Sequence, residues 1–276
     1  MSNIKQGDVM PSRLPDHEVV GRGPFTVYLL HGAYGSREYF REQIAALVER
    51  GYRVVAWDAP GYGLSELPQP YSIELAADAC AALVEATGSR CNVLLGHSMG
   101  GIIAPLAAVK LGPQRVQGLV VSATVGSFSS KSAEDQRRFL EERIAPLTQG
   151  ETLSATAEVL LRTMLAPGSC GAQVERVLRV AMATRSETFV AAINAIVAYD
   201  GAPTLARVAV PTLAIAGELD DVGRPAQMRE LAEQIAGAEF VAVPDAAHYA
   251  WAEQPARFNQ ALFDFLERRV GACREA

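Results

Sequence analysis

The chain has 276 residues, of which 49% are hydrophobic and 20% charged, and its formal net charge is −6 at pH 7. This length suits one large globular domain or two average ones. The acidic balance and the dispersed arginines argue against a nucleic-acid partner, because binding of a phosphate backbone needs basic patches. The first twenty residues carry no continuous apolar stretch for a secretory signal, and no apolar run elsewhere is long enough to span a bilayer. We therefore expect a cytoplasmic protein with no membrane partner.

Four cysteines are scattered along the chain without C-x-x-C spacing: Cys80, Cys91, Cys170 and Cys273. This arrangement disfavours a metal site and a disulfide framework, and it fits a reducing compartment. We expect neither a metal ion nor an organic cofactor. A homo-oligomer is compatible with the sequence, which leaves the oligomeric state open.

Short apolar runs alternate with amphipathic stretches in the first part of the chain. The runs predicted as strands are FTVYLL (25–30), YRVVAWD (52–58), CNVLL (91–95) and VQGLVVSAT (116–124). The stretches predicted as helices are REYFREQIAALVER (37–50), SIELAADACAALVEAT (72–87) and SMGGIIAPLAAVKL (98–111). Continuously apolar strands that alternate with helices indicate a parallel sheet covered on both faces.

The alternation stops between residues 127 and 203, where four helical stretches follow one another without a strand-like run. The sheet pattern returns with VPTLAIAGE (210–218), a helix near PAQMRELAEQIA, the strand AEFVAVPD (238–245) and a final helix over 255–270. We therefore predict an α/β core made of residues 1–126 and 204–276. A helical cap over residues 127–203 interrupts it.

A serine stands between two glycines in the stretch GHSMG (96–100). Ser98 follows a predicted strand and opens a predicted helix, and a sharp turn there would expose its hydroxyl at the carboxyl end of the strand. Gly96 and Gly100 would allow the close backbone approach that such a turn needs. The alternative is that Ser98 is only an N-cap, which is a common role for serine at the start of a helix.

A serine hydroxyl is a weak nucleophile and needs a general base, usually a histidine that a carboxylate holds in place. In this architecture the order along the chain is serine, acid, histidine. Of the four histidines only His248 follows Ser98, and it lies in a loop after the strand 238–245. We predict His248 as the base, and we interpret His97 as support for the turn at Ser98.

The acid should follow another strand between these two residues, and AGELDDV offers Glu218, Asp220 and Asp221. We favour Asp220, with Asp221 as its main rival. No carboxylate follows the strand that ends near Thr124, which strengthens this choice. Asp245 is interpreted as a turn former.

An oxyanion needs two preorganised N–H donors. The backbone N–H of Met99, directly after the serine, is predicted to be one of them. Ala33, in the loop after the strand 25–30, is predicted to supply the other. Gly32, Tyr34 and Tyr249 are candidates for contact with substrate.

These segments together resemble the α/β-hydrolase superfamily: LLHGAYGS, WDAPGYGLSE, LLGHSMGG, AGELDDV and PDAAHYAWAEQPARF occur in its order. The resemblance covers the chain from about residue 25 to its end. It implies an α/β-hydrolase fold, with a mostly parallel twisted sheet, helices on both faces and a helical cap that roofs the active site. The glycine-rich turn after Asp58 matches a structural turn of the superfamily, without a chemical role.

Within the superfamily, the passage over residues 181–220 is similar to the 3-oxoadipate enol-lactonase-like esterases. This resemblance implies a cofactor-free serine hydrolase that cleaves a small carboxylic ester or lactone through an acyl-enzyme. A C–C bond hydrolase of the meta-cleavage type is the first alternative, although that group usually has Asn and Trp where this chain has His97 and Tyr249. A low-turnover small-molecule receptor and a cofactor-free dioxygenase are two further alternatives.

The predicted cap contains seven arginines, any one of which could bind a substrate carboxylate in a bidentate manner. The other interpretation is that each lies on a solvated helix face. These residues are Arg137, Arg138, Arg143, Arg162, Arg176, Arg179 and Arg185.

Overall fold

The computed structural model describes residues 13–271, so Cys273 lies outside the described residues. Within this range seven strands form one sheet in the order β1-β3-β2-β4-β5-β6-β7. The strands are β1 His17–Val20, β2 Phe25–Leu30, β3 Arg53–Trp57, β4 Cys91–His97, β5 Gly118–Ser122, β6 Thr212–Gly217 and β7 Glu239–Val243. All neighbours run parallel except β1, which pairs antiparallel with β3. The predicted α/β-hydrolase fold is confirmed.

Helices cover both faces of this sheet. The helices are α1 Arg41–Glu49, α2 Ile73–Thr87, α3 Met99–Leu111, α4 Ala133–Thr148, α5 Leu153–Thr163, α6 Ala172–Met182, α7 Ser186–Ala198, α8 Ala202–Leu205, α9 Pro225–Glu233, α10 Ala250–Glu253 and α11 Pro255–Phe265. A 3-10 turn, Arg37–Phe40, precedes α1, and a π-helical turn, Leu266–Val270, follows α11.

The centre of the sheet is fully buried, as a parallel sheet with two covered faces requires. Every residue of β2 and of β4 is buried, and these two strands pair with each other along their length. Trp57 and Trp251 are the largest completely buried side chains among the described residues. Ser72 begins α2 as predicted, because its hydroxyl accepts a hydrogen bond from the Leu75 N–H (3.1 Å).

The edge strand β1 was not predicted from the sequence. It has only four residues, and none of them is buried. Val19 is 44% exposed, so the strand lacks the apolar run that marks the central strands. It forms because its backbone pairs with β3, which no local pattern indicates.

Five helices, α4 to α8, lie between β5 and β6, and the first four fall in the stretch where the sequence predicted helices alone. Helix α5 packs on α6, and α4 packs on α7. The division into core and cap at residues 126 and 204 stays a prediction. In residues 13–271 no single helix has the length and apolarity to cross a membrane; the bent pair α6 and α7 passes that test by length and composition only.

Candidate active site

Three of the predicted site residues follow strands of the same parallel set. Ser98 comes directly after β4, Asp220 follows β6 and His248 follows β7. The strands β4, β5, β6 and β7 are consecutive neighbours in the sheet and parallel to one another. Their carboxyl ends therefore share one edge, where open α/β sheets place their ligands.

Ser98 occupies a strained turn between β4 and α3. Its backbone has φ 54° and ψ −116°, a conformation that costs a residue with a side chain about 1–3 kcal/mol. The Ser98 N–H donates to the Ser122 carbonyl (2.8 Å), and the Thr124 hydroxyl donates to the Ser98 carbonyl (2.8 Å), which holds the turn. The Ser98 side chain accepts no capping hydrogen bond from α3 and is partly exposed. The N-cap interpretation therefore does not describe it.

The glycines around Ser98 are required by close backbone contacts. A Cβ on Gly96 would lie 2.1 Å from the Gly100 carbonyl oxygen, and one on Gly100 would lie 2.1 Å from the Leu30 carbonyl oxygen. A Cβ on Gly32 would lie 3.0 Å from the Ser98 Cβ. The turn at Ser98 and the loop after β2 therefore contact each other through their backbones. Only glycine, which has no Cβ, leaves room for this contact. Gly32 faces Ser98 itself.

His248 and Asp220 form a buried pair. The His248 Nδ1 atom lies 3.0 Å from Asp220 Oδ2, and the two residues are 1% and 3% exposed. The other oxygen, Oδ1, accepts hydrogen bonds from the N–H groups of Val222 (2.7 Å) and Gly223 (3.0 Å). Burial opposes ionisation of Asp220, but His248 and these two N–H groups outweigh it and lower the pKa of Asp220. The rival Asp221 has a side chain that is 91% exposed.

The structure does not join Ser98 to this pair by a hydrogen bond: none links its hydroxyl to His248 in the described part of the chain. The His97 ring lies next to the site, with its centroid 5.0 Å from that of His248. Burial, followed by the neighbouring His248 and His31, lowers the pKa of His97 well below its usual value. His97 is therefore a neutral packing neighbour of His248, consistent with the supporting role predicted for it.

The loop after β2 is fixed by hydrogen bonds to one peptide group. The Gly32 carbonyl accepts from His31 Nδ1 (2.8 Å) and from the Gly35 N–H (2.9 Å). His31 Nε2 accepts from the Ala59 N–H (2.9 Å), which makes Nδ1 the protonated nitrogen of a neutral ring. Because the peptide is planar and trans, the Ala33 N–H points away from this carbonyl. His31 thereby orients the predicted donor.

Several backbone N–H groups near Ser98 have no hydrogen-bond acceptor within residues 13–271. They include those of Ala33, Tyr34, Met99 and Gly100, and all four residues are buried. Buried N–H groups without a partner are rare in folded proteins, so each calls for an explanation. Met99 also stands at the N-terminus of α3, where the helix dipole favours negative charge. The two predicted donors, Ala33 and Met99, are therefore free to donate.

Two tyrosines predicted to contact substrate are buried beside the site. The Tyr34 ring packs against Phe189 of α7 with centroids 4.4 Å apart, and the Tyr249 ring lies 5.1 Å from that of His97. The Tyr34 hydroxyl has no hydrogen-bond partner in the part of the chain that the structure describes. Burial raises the pKa of both phenols, so both stay protonated and able to donate.

Glu253 was not recognised from the sequence. Its Oε1 atom accepts hydrogen bonds from the N–H groups of Ala247 (3.1 Å) and Tyr249 (3.0 Å), the residues on either side of His248. One carboxylate oxygen thus fixes the backbone of the loop that carries His248.

The other oxygen of Glu253 reaches the segment after α5. Oε2 accepts from the Ala166 N–H (2.7 Å) and from the Ser169 hydroxyl (2.7 Å). In the same region the His248 N–H donates to the Met164 carbonyl (3.0 Å). Three hydrogen bonds therefore reach residues 164–169, and two more join Glu253 to the loop around His248. No local signal could have revealed this role, because these partners lie more than eighty residues away in sequence.

Three cysteines fall within the described residues: Cys80 and Cys91 are buried and Cys170 is exposed. No group of three or more histidine, cysteine, aspartate or glutamate side chains in residues 13–271 is arranged to hold a metal ion.

The fold and the arrangement at the sheet edge define the class of protein. The sequence model described as "Alpha/beta hydrolase family" matches residues 27–261, and the chain belongs to this family. Its curated relatives and structural neighbours include esterases and a lactonase, and the chain is a hydrolytic enzyme that acts on ester bonds.

Three comparisons illustrate the similarity. The pimeloyl-[acyl-carrier protein] methyl ester esterase of Neisseria meningitidis serogroup C is 27% identical over 249 residues, which cover 87% of this chain and 93% of that protein. The enol-lactonase from Burkholderia xenovorans LB400 has 26% identity and a TM-score of 0.80, with 92% and 96% covered. Polyketide synthase ThaQ of Burkholderia thailandensis is 27% identical over 92% of this chain, which spans only 12% of that protein.

Proposed function

We propose that this enzyme cleaves a carboxylic ester or lactone of a small molecule, with Ser98 as nucleophile, His248 as general base and Asp220 as the acid of the triad. The observation that carries the proposal is the buried contact of 3.0 Å between His248 and Asp220, at the sheet edge that also presents Ser98. A histidine held by a carboxylate beside an accessible serine is the arrangement that nucleophilic acyl transfer needs.

The reaction proceeds in two steps. His248 Nε2 takes the proton of the Ser98 hydroxyl as its oxygen attacks the ester carbonyl carbon. When the tetrahedral intermediate collapses, the C–O bond to the alcohol breaks and His248 returns the proton to the leaving oxygen, which leaves an acyl-enzyme on Ser98. A water molecule, deprotonated by His248, then attacks this acyl group; the C–O bond to Ser98 breaks, His248 returns the proton to the serine oxygen, and the acid is released.

Asp220 acts through His248. Its Oδ2 accepts the Nδ1–H of the ring, which keeps Nε2 available as the base and stabilises the imidazolium that forms in each step. The hydrogen bonds from Val222 and Gly223 hold the carboxylate in this orientation.

The N–H groups of Ala33 and Met99 stabilise the oxyanion of the tetrahedral intermediate. Both are unused by the described protein, and His31 orients the first of them through the Gly32 carbonyl. Preorganised donors of this kind contribute about 3–4 kcal/mol each to lowering the barrier of acyl transfer.

The neighbour named for an enol-lactone supports a small-molecule substrate, and the relative named for a methyl ester of pimeloyl-[acyl-carrier protein] supports an ester bond as the target. We assign residues 127–203 as a cap that shapes the substrate site, because Phe189 of α7 packs on Tyr34 next to Ala33. The cytoplasmic location and the absence of a cofactor remain predictions.

The test is a panel of p-nitrophenyl esters of increasing acyl length together with small lactones. We expect Ser98→Ala to lower kcat by several orders of magnitude while substrate still binds, and the exposed Ser154→Ala to match the parent enzyme. Equal hydrolysis by Ser98→Ala and the parent enzyme would overturn the proposal. If the enzyme hydrolyses none of these esters, cleavage of a meta-cleavage diketone would favour the C–C bond hydrolase. Retention of the product would favour the low-turnover receptor, and consumption of oxygen would favour the dioxygenase.

A further inference from the structure

One arginine between β5 and β6 differs from the others in its burial. In residues 13–271, Arg143 of α4 is the arginine that is buried, with a side chain only 6% exposed. Arg137 and Arg138 on the same helix are 70% and 64% exposed. The remaining four arginines predicted as candidates are exposed or partly exposed: Arg162, Arg176, Arg179 and Arg185. Arg143 is therefore the exception to the solvated-helix-face interpretation.

The guanidinium of Arg143 uses only part of its hydrogen-bonding capacity. Its Cζ lies 3.8 Å from the centre of the Phe139 ring, and Nη1 donates to the Phe139 carbonyl (3.4 Å) and to Glu142 Oε2 (3.3 Å). The Glu142 side chain is 51% exposed, so this ion pair is weak. In the described part of the chain, Nε and Nη2 have no partner. Both nitrogens keep some solvent access although the side chain is largely buried, so a ligand can reach them.

Arg143 lies on a helix that is linked by packing to the loop that carries the proposed oxyanion donor Ala33. Helix α4 packs on α7, whose Phe189 contacts Tyr34. Burial lowers the pKa of Arg143, and Tyr34, Glu142 and Tyr249, which all lie within its electrostatic range, act against this shift. The unpartnered Tyr34 hydroxyl and the guanidinium with its unused edge thus lie within electrostatic range of each other.

We propose that Arg143 and Tyr34 bind a carboxylate on the substrate, so that the enzyme hydrolyses half-esters or lactones of acids that carry a second, free carboxylate. The unused Nε–H and Nη2–H form the parallel pair that engages a carboxylate side-on, and the Tyr34 hydroxyl supplies a third donor. This assignment rests on the proposed ester hydrolysis. It adds that the charge of the substrate, and not only its length, determines specificity.

The test compares two methyl esters of almost equal shape. Monomethyl glutarate carries a carboxylate, and methyl glutaramate carries a neutral amide in the same place; the succinate and adipate pairs vary the distance. Methanol release gives kcat/KM for each ester. We expect the parent enzyme to prefer the carboxylate at least about tenfold, as a desolvated charge pair implies. The preference should lie mainly in KM, because the carboxylate is remote from the reacting bond.

Substitutions test which side chains cause the preference for the carboxylate ester. Arg143→Met should abolish it, Arg143→Lys should reduce it because a lysine lacks the side-on pair, and Tyr34→Phe should reduce it by removing one donor. Arg138→Met, on the exposed face of the same helix, should preserve it in full. The ratio of the two esters within one protein does not depend on the folded fraction. If Arg143→Met loses activity on both esters, the preferences of Arg143→Lys and Tyr34→Phe decide whether these side chains bind the carboxylate.

Equal hydrolysis of the two esters by the parent enzyme at every chain length, or a preference that survives Arg143→Met, would overturn the carboxylate site. That failure is distinct from failure of the proposed reaction. In the first case Ser98→Ala still abolishes hydrolysis of the neutral ester; in the second case it does not.

Discussion

The hydrogen bonds of Glu253 predict that a side chain outside the proposed triad controls both stability and catalysis. Glu253→Gln keeps the size of the side chain but replaces one acceptor oxygen by an NH₂ group. All four partners of the carboxylate are donors: the N–H groups of Ala247, Tyr249 and Ala166, and the Ser169 hydroxyl. The variant can therefore satisfy only the two donors at one end.

Two hydrogen bonds to a charged acceptor are lost, each worth about 1.5–3 kcal/mol. Because Glu253 is only partly buried, water compensates in part, and we expect the free energy of unfolding to fall by about 2–4 kcal/mol. The loop around His248 also loses its anchor. A displacement of about 1 Å in a catalytic group can cost 10²-fold in rate, so we expect kcat to fall about tenfold to a hundredfold.

Urea unfolding and ester hydrolysis at 25 °C measure the two effects. Glu267→Gln is the matched control, since its carboxylate is 57% exposed and pairs only with exposed Arg50; it should stay within about 0.5 kcal/mol of the parent enzyme. If Glu253→Gln is as stable and as active as the control, the anchoring is refuted. If stability falls while kcat is unchanged, the link to His248 is wrong.

Three further predictions follow from the site. Asp220→Asn should lower kcat by a factor on the order of 10⁴, as loss of the triad acid does in serine proteases, whereas Asp221→Asn should leave esterase kinetics unchanged; equal effects would contradict the assignment of Asp220. The buried His97 has a pKa below that of an unfolded histidine, near 6.5, so the stability that it contributes is present above pH 6.5 and is lost as the pH falls below it. His97→Gln should therefore reduce the pH slope of the free energy of unfolding below pH 6 by about 1.4 kcal/mol per pH unit; an unchanged slope in urea titrations would show that His97 is protonated in the folded state. Gly100→Ala should destabilise the protein by about 3 kcal/mol or more, because the new Cβ would lie 2.1 Å from the Leu30 carbonyl oxygen. Gly271→Ala is the control, since its Cβ would have its nearest atom at 3.7 Å and should be tolerated. Thermal unfolding compares the two variants, and a stable Gly100→Ala would refute the close approach.

The sheet could be predicted because its information is local. A continuously apolar run such as Phe25–Leu30 is buried on both faces wherever it stands, and the structure has a strand with the same bounds. The short helix α10 and the edge strand β1 were missed, because four residues carry too little periodic signal.

The choice of acid shows where local information ends. Asp220 and Asp221 follow the same strand, and their order alone cannot say which side chain turns inward. The turn decides it: Asp220 Oδ1 accepts from the N–H groups of Val222 and Gly223, which directs Oδ2 to His248. Asp221 is left in solvent. The catalytic role of Asp220 stays a prediction.

The arginines show the same limit. Seven of them look alike in the helical stretch, and the fold buries Arg143 alone among them. Glu253 is a harder case still, because its partners come from two segments that no pattern connects. The roles of Arg143 and Glu253 both depend on packing between segments that are distant in sequence, which no short stretch of the sequence reveals.

The central claim is that Ser98 is the nucleophile, and labelling with a fluorophosphonate tests it most directly. Mass spectrometry of the labelled chain should show one adduct, and peptide mapping should place it on Ser98. Ser98→Ala should remain unlabelled, and Asp220→Asn should be labelled far more slowly than the parent enzyme. An adduct on another residue, or a fully active enzyme that takes up no label, would contradict the account.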